Sequence, residues 1–97
     1  MTNLNFEQQI DALVSDLDEN IQNIYRFEDD LDWVNVDITF INPVTGSLDE
    51  VSLFSDTDDQ PSSMLYCSNI GAYGRPNGYS GVVCDDLNEL YNLILKK

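Results

Sequence analysis

The chain has 97 residues, 42% of them apolar, enough for one domain with a modest core that folds without staples. Eighteen Asp and Glu stand against four Lys and Arg, a net charge of -14, and histidine is absent. That balance excludes direct binding to nucleic acid or anionic lipid, which requires a face of Lys and Arg, and it excludes Ser–His and Cys–His nucleophiles outright.

Residues 5–25 read as an amphipathic helix. Phe6, Ile10, Leu13, Val14, Leu17, Ile21 and Ile24 recur at three- and four-residue steps and form one stripe. Asn3 or Asn5 suits the N-cap, and Glu7 suits the positive end of the dipole. On such a helix Glu7, Asp11 and Asp18 fall in one row, spaced by ~6 and ~10.5 Å at a rise of ~1.5 Å per residue. The row can imitate successive phosphates or be a plainly solvated face. Residues 26–32 then end the helix, because acids crowd its negative terminus.

The stretch 27–59 carries ten carboxylates and no Lys or Arg. It also holds two strands. Val34, Val36, Ile38 and Phe40 alternate with Asn35, Asp37 and Thr39, a period of two with one core face. Residues 42–47 supply turn chemistry through Pro43 and Gly46. Residues 50–55 return as a second strand, with Val51 and Leu53 facing the core and Phe54 the other way.

After an acidic loop at 56–63, residues 63–70 read as a third strand, apolar on both faces. Four glycines and a proline between Gly71 and Gly81 mark a loop, with a short strand at 81–84 beyond it. Asp85 or Asp86 caps a final helix, with Glu89 in capping-box spacing and Leu87, Leu90, Tyr91 and Ile94 on its apolar face. The expected order is αββββα: an α+β fold in which an antiparallel sheet of three to four strands carries both helices on one face. Asn35, Asp37 and Thr39 then lie on an open face, continuous with the acids at 28–32 and 56–59.

Chemistry is sparse. No carboxylate pair is set apart by an apolar environment, so no catalytic residue is assigned and an enzyme is not expected. Neither acidic run has the calcium-loop pattern, and Cys67 and Cys84 are not in a metal spacing, so no metal or cofactor is expected. The two thiols read as buried and reduced, with a disulfide between their strands as the alternative. No apolar run is long enough to span a membrane, and the first apolar residues are interrupted by Glu7 and Asp11, unlike a secretory signal. An intracellular location follows as the expectation. The Gly-rich loop lacks both a P-loop and a dinucleotide fingerprint. Its Tyr73, Arg75 and Tyr79 suit an adaptable contact surface, or an internal stack of Arg75 on a tyrosine ring.

What remains is binding by acid. A DNA- or RNA-binding protein presents Lys and Arg at phosphate spacing, and a rigid acidic surface can occupy them. In size, charge and small α+β design the whole chain resembles the acidic DNA-mimic inhibitors of phages and mobile elements, among them anti-CRISPR and anti-restriction proteins. It also looks like the immunity proteins that neutralise nuclease toxins. The resemblance is one of overall character and matches no motif. It implies an inhibitor acting in the cytoplasm of a bacterial host on the basic surface of a nuclease or CRISPR effector. Glu28, Asp29, Asp30, Asp32, Asp37, Asp56, Asp58 and Asp59 would stand in for phosphates, Glu7, Asp11 and Asp18 would form a second row, and Tyr73, Arg75 and Tyr79 would add contacts. An acidic domain whose charge serves solubility is the remaining alternative.

Overall fold

The computed structural model describes residues 5–28, 34–55, 63–70 and 81–95. Helix α1 (Phe6–Leu17) is followed by a single 3-10 turn (Asp18–Asn20) and strands β1 (Ile21–Glu28), β2 (Val34–Ile41), β3 (Leu48–Ser55), β4 (Ser63–Cys67) and β5 (Val82–Cys84), then helix α2 (Leu87–Ile94). The strands pair antiparallel with their sequence neighbours, in the order β1-β2-β3-β4-β5. The α+β class stands, with five strands where the sequence pattern suggests three to four. Among the described residues no helix is long and apolar enough to cross a membrane.

The additional strand is β1, and it corrects the helix expected over residues 5–25. Helix α1 starts as its sequence suggests: Asn5 Oδ1 accepts from the Gln8 N–H at 2.9 Å, and Gln8 Oε1 accepts from the Asn5 N–H at 3.1 Å. It stops at Leu17. Asp18 turns the chain with a φ of 35°, and Asp16, Asp18 and Glu19 crowd the negative end of the dipole with no basic residue in the last turn. Beyond it, Ile21, Ile24, Tyr25 and Phe27 are the β-branched and aromatic types that fit a pleated surface. A bulge completes the disguise. Ile21 pairs with Phe40 while Asn23 pairs with Thr39, so one extra residue is accommodated between them. Ile21 and Ile24 therefore lie on the same face although three residues apart, the spacing a helix would give.

Cross-strand partners share a face of the sheet. One face carries Val36, Ile38 and Phe40 of β2, Val51 and Leu53 of β3, Met64 and Tyr66 of β4 and Cys84 of β5. Phe6, Ile10, Leu13 and Leu17 of α1 and Leu90 and Ile94 of α2 join them in one buried cluster. Both helices thus cover the same face, as the alternation in β2 requires.

Asp49 belongs to this core too, with no exposed surface. Its Oδ2 accepts from Tyr66 Oη at 2.6 Å and Asn42 Nδ2 at 2.8 Å, and its Oδ1 from Ser47 Oγ at 2.7 Å and the Asn69 N–H at 2.9 Å. Four donors match the lone pairs of a carboxylate. Asn42 extends the network. Its second amide hydrogen goes to the Ile94 carbonyl at 2.9 Å, while its Oδ1 accepts from the Val44 and Thr45 N–H groups and shapes the β2–β3 turn. Gly46 closes that turn with a φ of 76°, a conformation glycine takes without strain. The node joins the turn, the start of β3, the end of β4 and the last turn of α2.

Ser52 is buried on the opposite face with its Oγ unpaired, so the two polar residues make contrasting predictions. Asp49→Ala strands several buried donors at a cost of ~1–3 kcal/mol each, and urea titration should record a loss of roughly 3 kcal/mol or more. Ser52→Ala removes an unpaired hydroxyl and should leave stability unchanged or raise it by up to ~1 kcal/mol.

Candidate functional site

An antiparallel meander gathers alternate connections at one end of the sheet, and here those connections are acidic. Glu28 at the end of β1 pairs with Val34 at the start of β2, and Val34 pairs with Ser55 at the end of β3. Phe54 of β3 pairs with Ser63 at the start of β4, and β5 ends beside it, with Cys84 opposite Met64. At a strand spacing of ~4.8 Å these five ends span ~19 Å. Glu28 and the exposed Asp85 and Asp86 lie at this end. Asp29, Asp30, Asp32, Asp56, Asp58 and Asp59 belong to the segments that connect these strands and lie outside the described residues, as do Tyr73, Arg75 and Tyr79.

Asp85 and Asp86 are hidden as site candidates in the sequence, because their signal there is that of a helix start. They serve that purpose as well. Asp86 Oδ1 accepts from the Glu89 N–H at 2.9 Å, and Glu89 Oε2 accepts from the Asp85 N–H at 2.9 Å. The cap orients the Asp86 carboxylate, and both acids stay in solvent.

The face of the sheet away from the helices is not the acidic field that alternation suggests. It presents Asn23, Tyr25 and Phe27 of β1, Asn35, Asp37 and Thr39 of β2, Glu50, Ser52 and Phe54 of β3, Leu65 and Cys67 of β4 and Val83 of β5. Of its two acids Asp37 is half-buried and accepts from Asn35 Nδ2 at 2.9 Å, and Glu50 is buried. With Asp49 in the core, two of the ten carboxylates in 27–59 are withdrawn from any surface field. The position of Asp49 is legible in the chain: 49, 51 and 53 alternate onto the core face with Val51 and Leu53.

The row of Glu7, Asp11 and Asp18 does not form, because the helix ends before Asp18. Asp11 stays exposed on α1. Glu7 is bound instead to Arg26 of β1, whose Nη2 lies 2.5 Å from Glu7 Oε1 and whose Nε lies 2.9 Å from Glu28 Oε1. The hydrogen bond to Glu7, then that to Glu28, raises the Arg26 pKa still further above its ordinary range. All three side chains are about half exposed, so the bridges add ~0–1 kcal/mol each and act chiefly to fix Arg26 against α1.

Two further features could bear chemistry. Cys67 and Cys84 are both buried and form no disulfide. Cys67 faces the side away from the helices and Cys84 the core, which rules out the disulfide alternative. Burial, then the nearby Glu89, Asp85 and Asp86, pushes the Cys84 thiol up. Tyr91 Oη donates to Asp16 Oδ2, and beside this pair Leu17, Pro43, Ile94 and Leu95 line a mainly apolar cleft of about 190 Å³. Among the described residues no group of three or more Cys, Asp or Glu could hold a metal ion. The chain matches no protein-family model, and neither curated proteins nor solved structures yielded a match.

The buried groups predict a pH profile. Burial, then the hydrogen bonds to Asp49 and Asp16, raises the pKa values of Tyr66 and Tyr91 well above the ordinary phenol range. Their neutral forms are favoured in the folded chain, so their stabilisation is complete below pH ~10, where unfolded tyrosine ionises, and falls as pH rises past it. Tyrosinate absorbance should show Tyr66 and Tyr91 titrating only with unfolding, and Tyr66→Phe should flatten the alkaline limb. Neither thiol should react with a thiol reagent at neutral pH until denaturant is added.

Proposed function

We propose that the chain is a small acidic inhibitor that occupies the nucleic-acid-binding surface of a DNA- or RNA-binding protein, of the nuclease or CRISPR-effector class, inside a bacterial cell. A phage anti-CRISPR or anti-restriction protein is the form of this reading that fits the size and charge best. The observation that carries it is the convergence of acidic segments on one end of the meander. Eight carboxylates (Asp29, Asp30, Asp32, Asp56, Asp58, Asp59, Asp85 and Asp86) are attached to strand ends that span ~19 Å, and Glu28 at the same end is paired with Arg26. A duplex carries one charge per ~1.7 Å of axis, or ~11 over the same length, so the two densities are alike.

The mechanism is competition. The sheet supplies a base in which each strand end is held by a paired neighbour. The field of the acidic end steers a cationic cleft toward it, and Lys and Arg that would grip phosphates are occupied by carboxylates. Asp37 and the Glu7, Asp11 and Asp18 positions take secondary parts at most, being half-buried, paired or dispersed.

Affinity capture from a bacterial lysate, followed by competition with DNA, tests this reading. The captured protein should lose DNA as the chain is added. Raising salt from ~0.1 to ~1 M shortens the Debye length from ~10 to ~3 Å and should release the complex. Reversing Asp29, Asp30 and Asp32 to Lys, or Asp56, Asp58 and Asp59 to Lys, should weaken binding by about tenfold or more per set. A ternary complex holding both DNA and this chain would end the mimicry reading.

A further inference from the structure

Strand β1 offers a surface distinct from the acidic end. It is an outer strand of the sheet, paired with β2 along one side from Ile21 to Glu28, and no described strand pairs with its other side. Every side chain from Gln22 to Glu28 is exposed. Among them are three large apolar groups, Ile24 at 44%, Tyr25 at 54% and Phe27 at 48% exposure. Outer strands are ordinarily blunted by Pro, by Lys or by a bulge in mid-strand. β1 contains neither Pro nor Lys, and its bulge lies at its beginning, between Ile21 and Asn23.

The single cation of the strand is turned away. Arg26 lies on the helix-bearing side, where Glu7 and Glu28 hold it. The other side presents Tyr25 and Phe27 next to their cross-strand partners Asp37 and Asn35. Two aromatic rings with a carboxylate behind them form a surface suited to a cationic side chain. A second copy of the chain fits this edge poorly, since each copy carries a net charge of -14.

We propose that the β1 edge receives an extended cationic segment of the partner, which joins the sheet as a sixth strand with Lys or Arg lying over Tyr25 and Phe27. Backbone pairing supplies affinity along the strand, and alternate side chains supply specificity. The inference rests on the inhibitor reading for the sign of the partner's charge. It adds the means of docking: the acidic end covers the cleft and the edge clasps a neighbouring strand.

The test titrates the ¹⁵N-labelled full chain with an end-blocked peptide of alternating Lys and Val. The control is the same peptide with every second residue N-methylated, which keeps the charge and removes strand pairing. The expected result is amide shifts confined to 21–28 and the adjoining part of β2, slower solvent exchange in β1, and binding of the control weaker by about tenfold or more. Substituting the exposed Tyr25 and Phe27 by Ser should weaken the Lys–Val peptide about tenfold, and the comparison of the two peptides on the unaltered chain requires no variant to fold. Equal binding of both peptides, or shifts only outside β1, overturns the proposal. So does a dimer in ~1 M salt with protected β1 amides, which would make a second copy the occupant. Lysine substitutions at the acidic end leave β1 intact, so failure of mimicry and failure of edge docking are read separately.

Discussion

The β2–β3 turn and the end of β4 meet on the carboxylate of Asp49, which is removed from water entirely, and Asn42 links that carboxylate to the last turn of α2. Burying a carboxylate costs several kcal/mol even after relaxation, so a fold can tolerate it only where hydrogen bonds replace the lost solvation. Asp49 receives four, from Asn42, Ser47, Tyr66 and Asn69. Asn42, Ser47 and Asn69 come from segments beyond the strands, which the sheet alone would leave loosely placed, and Tyr66 comes from β4. The network therefore sets the turn geometry, and through Asn42 and the Ile94 carbonyl it ties α2 to the sheet. The node fixes the start of β3 against the turn and β4, and the strand ladders carry that register to the far end of the meander.

That alignment gives the charge a direction. A net charge of -14 spread evenly would oppose folding and serve solubility alone. In this fold the acids separate by role. Asp49 and Glu50 are internal, Glu7 and Glu28 hold Arg26, and Asp86 and Glu89 cap α2 while Asp85 stands beside them in solvent. Among the described acids Glu28, Asp85 and Asp86 fall at one end, the end to which an antiparallel meander returns every second connection. The face opposite the helices, meanwhile, is mixed and partly aromatic. In the proposed complex the two surfaces would act differently, the acidic end through a long-ranged, salt-sensitive field and the β1 edge through short-ranged, directional pairing.

Several features are legible in the residues themselves. The alternation of Val34, Val36, Ile38 and Phe40 names the core face of β2, and Val51 and Leu53 name that of β3. Asp86 with Glu89 marks the start of α2, and Asn5 that of α1. The helix expected over residues 18–25 fails for a definite reason. Ile21 and Ile24 keep a helical step because a bulge near Gln22 returns them to one face, and periodicity alone cannot separate a bulged strand from a continuing helix. The acid row on α1 falls with that helix, since Asp18 lies past its end.

Composition by itself determined the net charge of -14, because net charge sums over residues and is indifferent to where they lie. Local pattern determined most of the elements, because caps and alternation depend on residues a few positions apart. Alternation with Val51 and Leu53 puts Asp49 on the core side and alternation in β2 puts Asp37 on the other. Only the tertiary structure decided how fully each carboxylate is buried and which donors reach it. Only the tertiary structure, too, left β1 as an outer strand with exposed aromatic rings, since an edge is defined by which strand does not follow beside it. These outcomes depend on contacts between residues far apart in the chain, where short-range pattern carries no information.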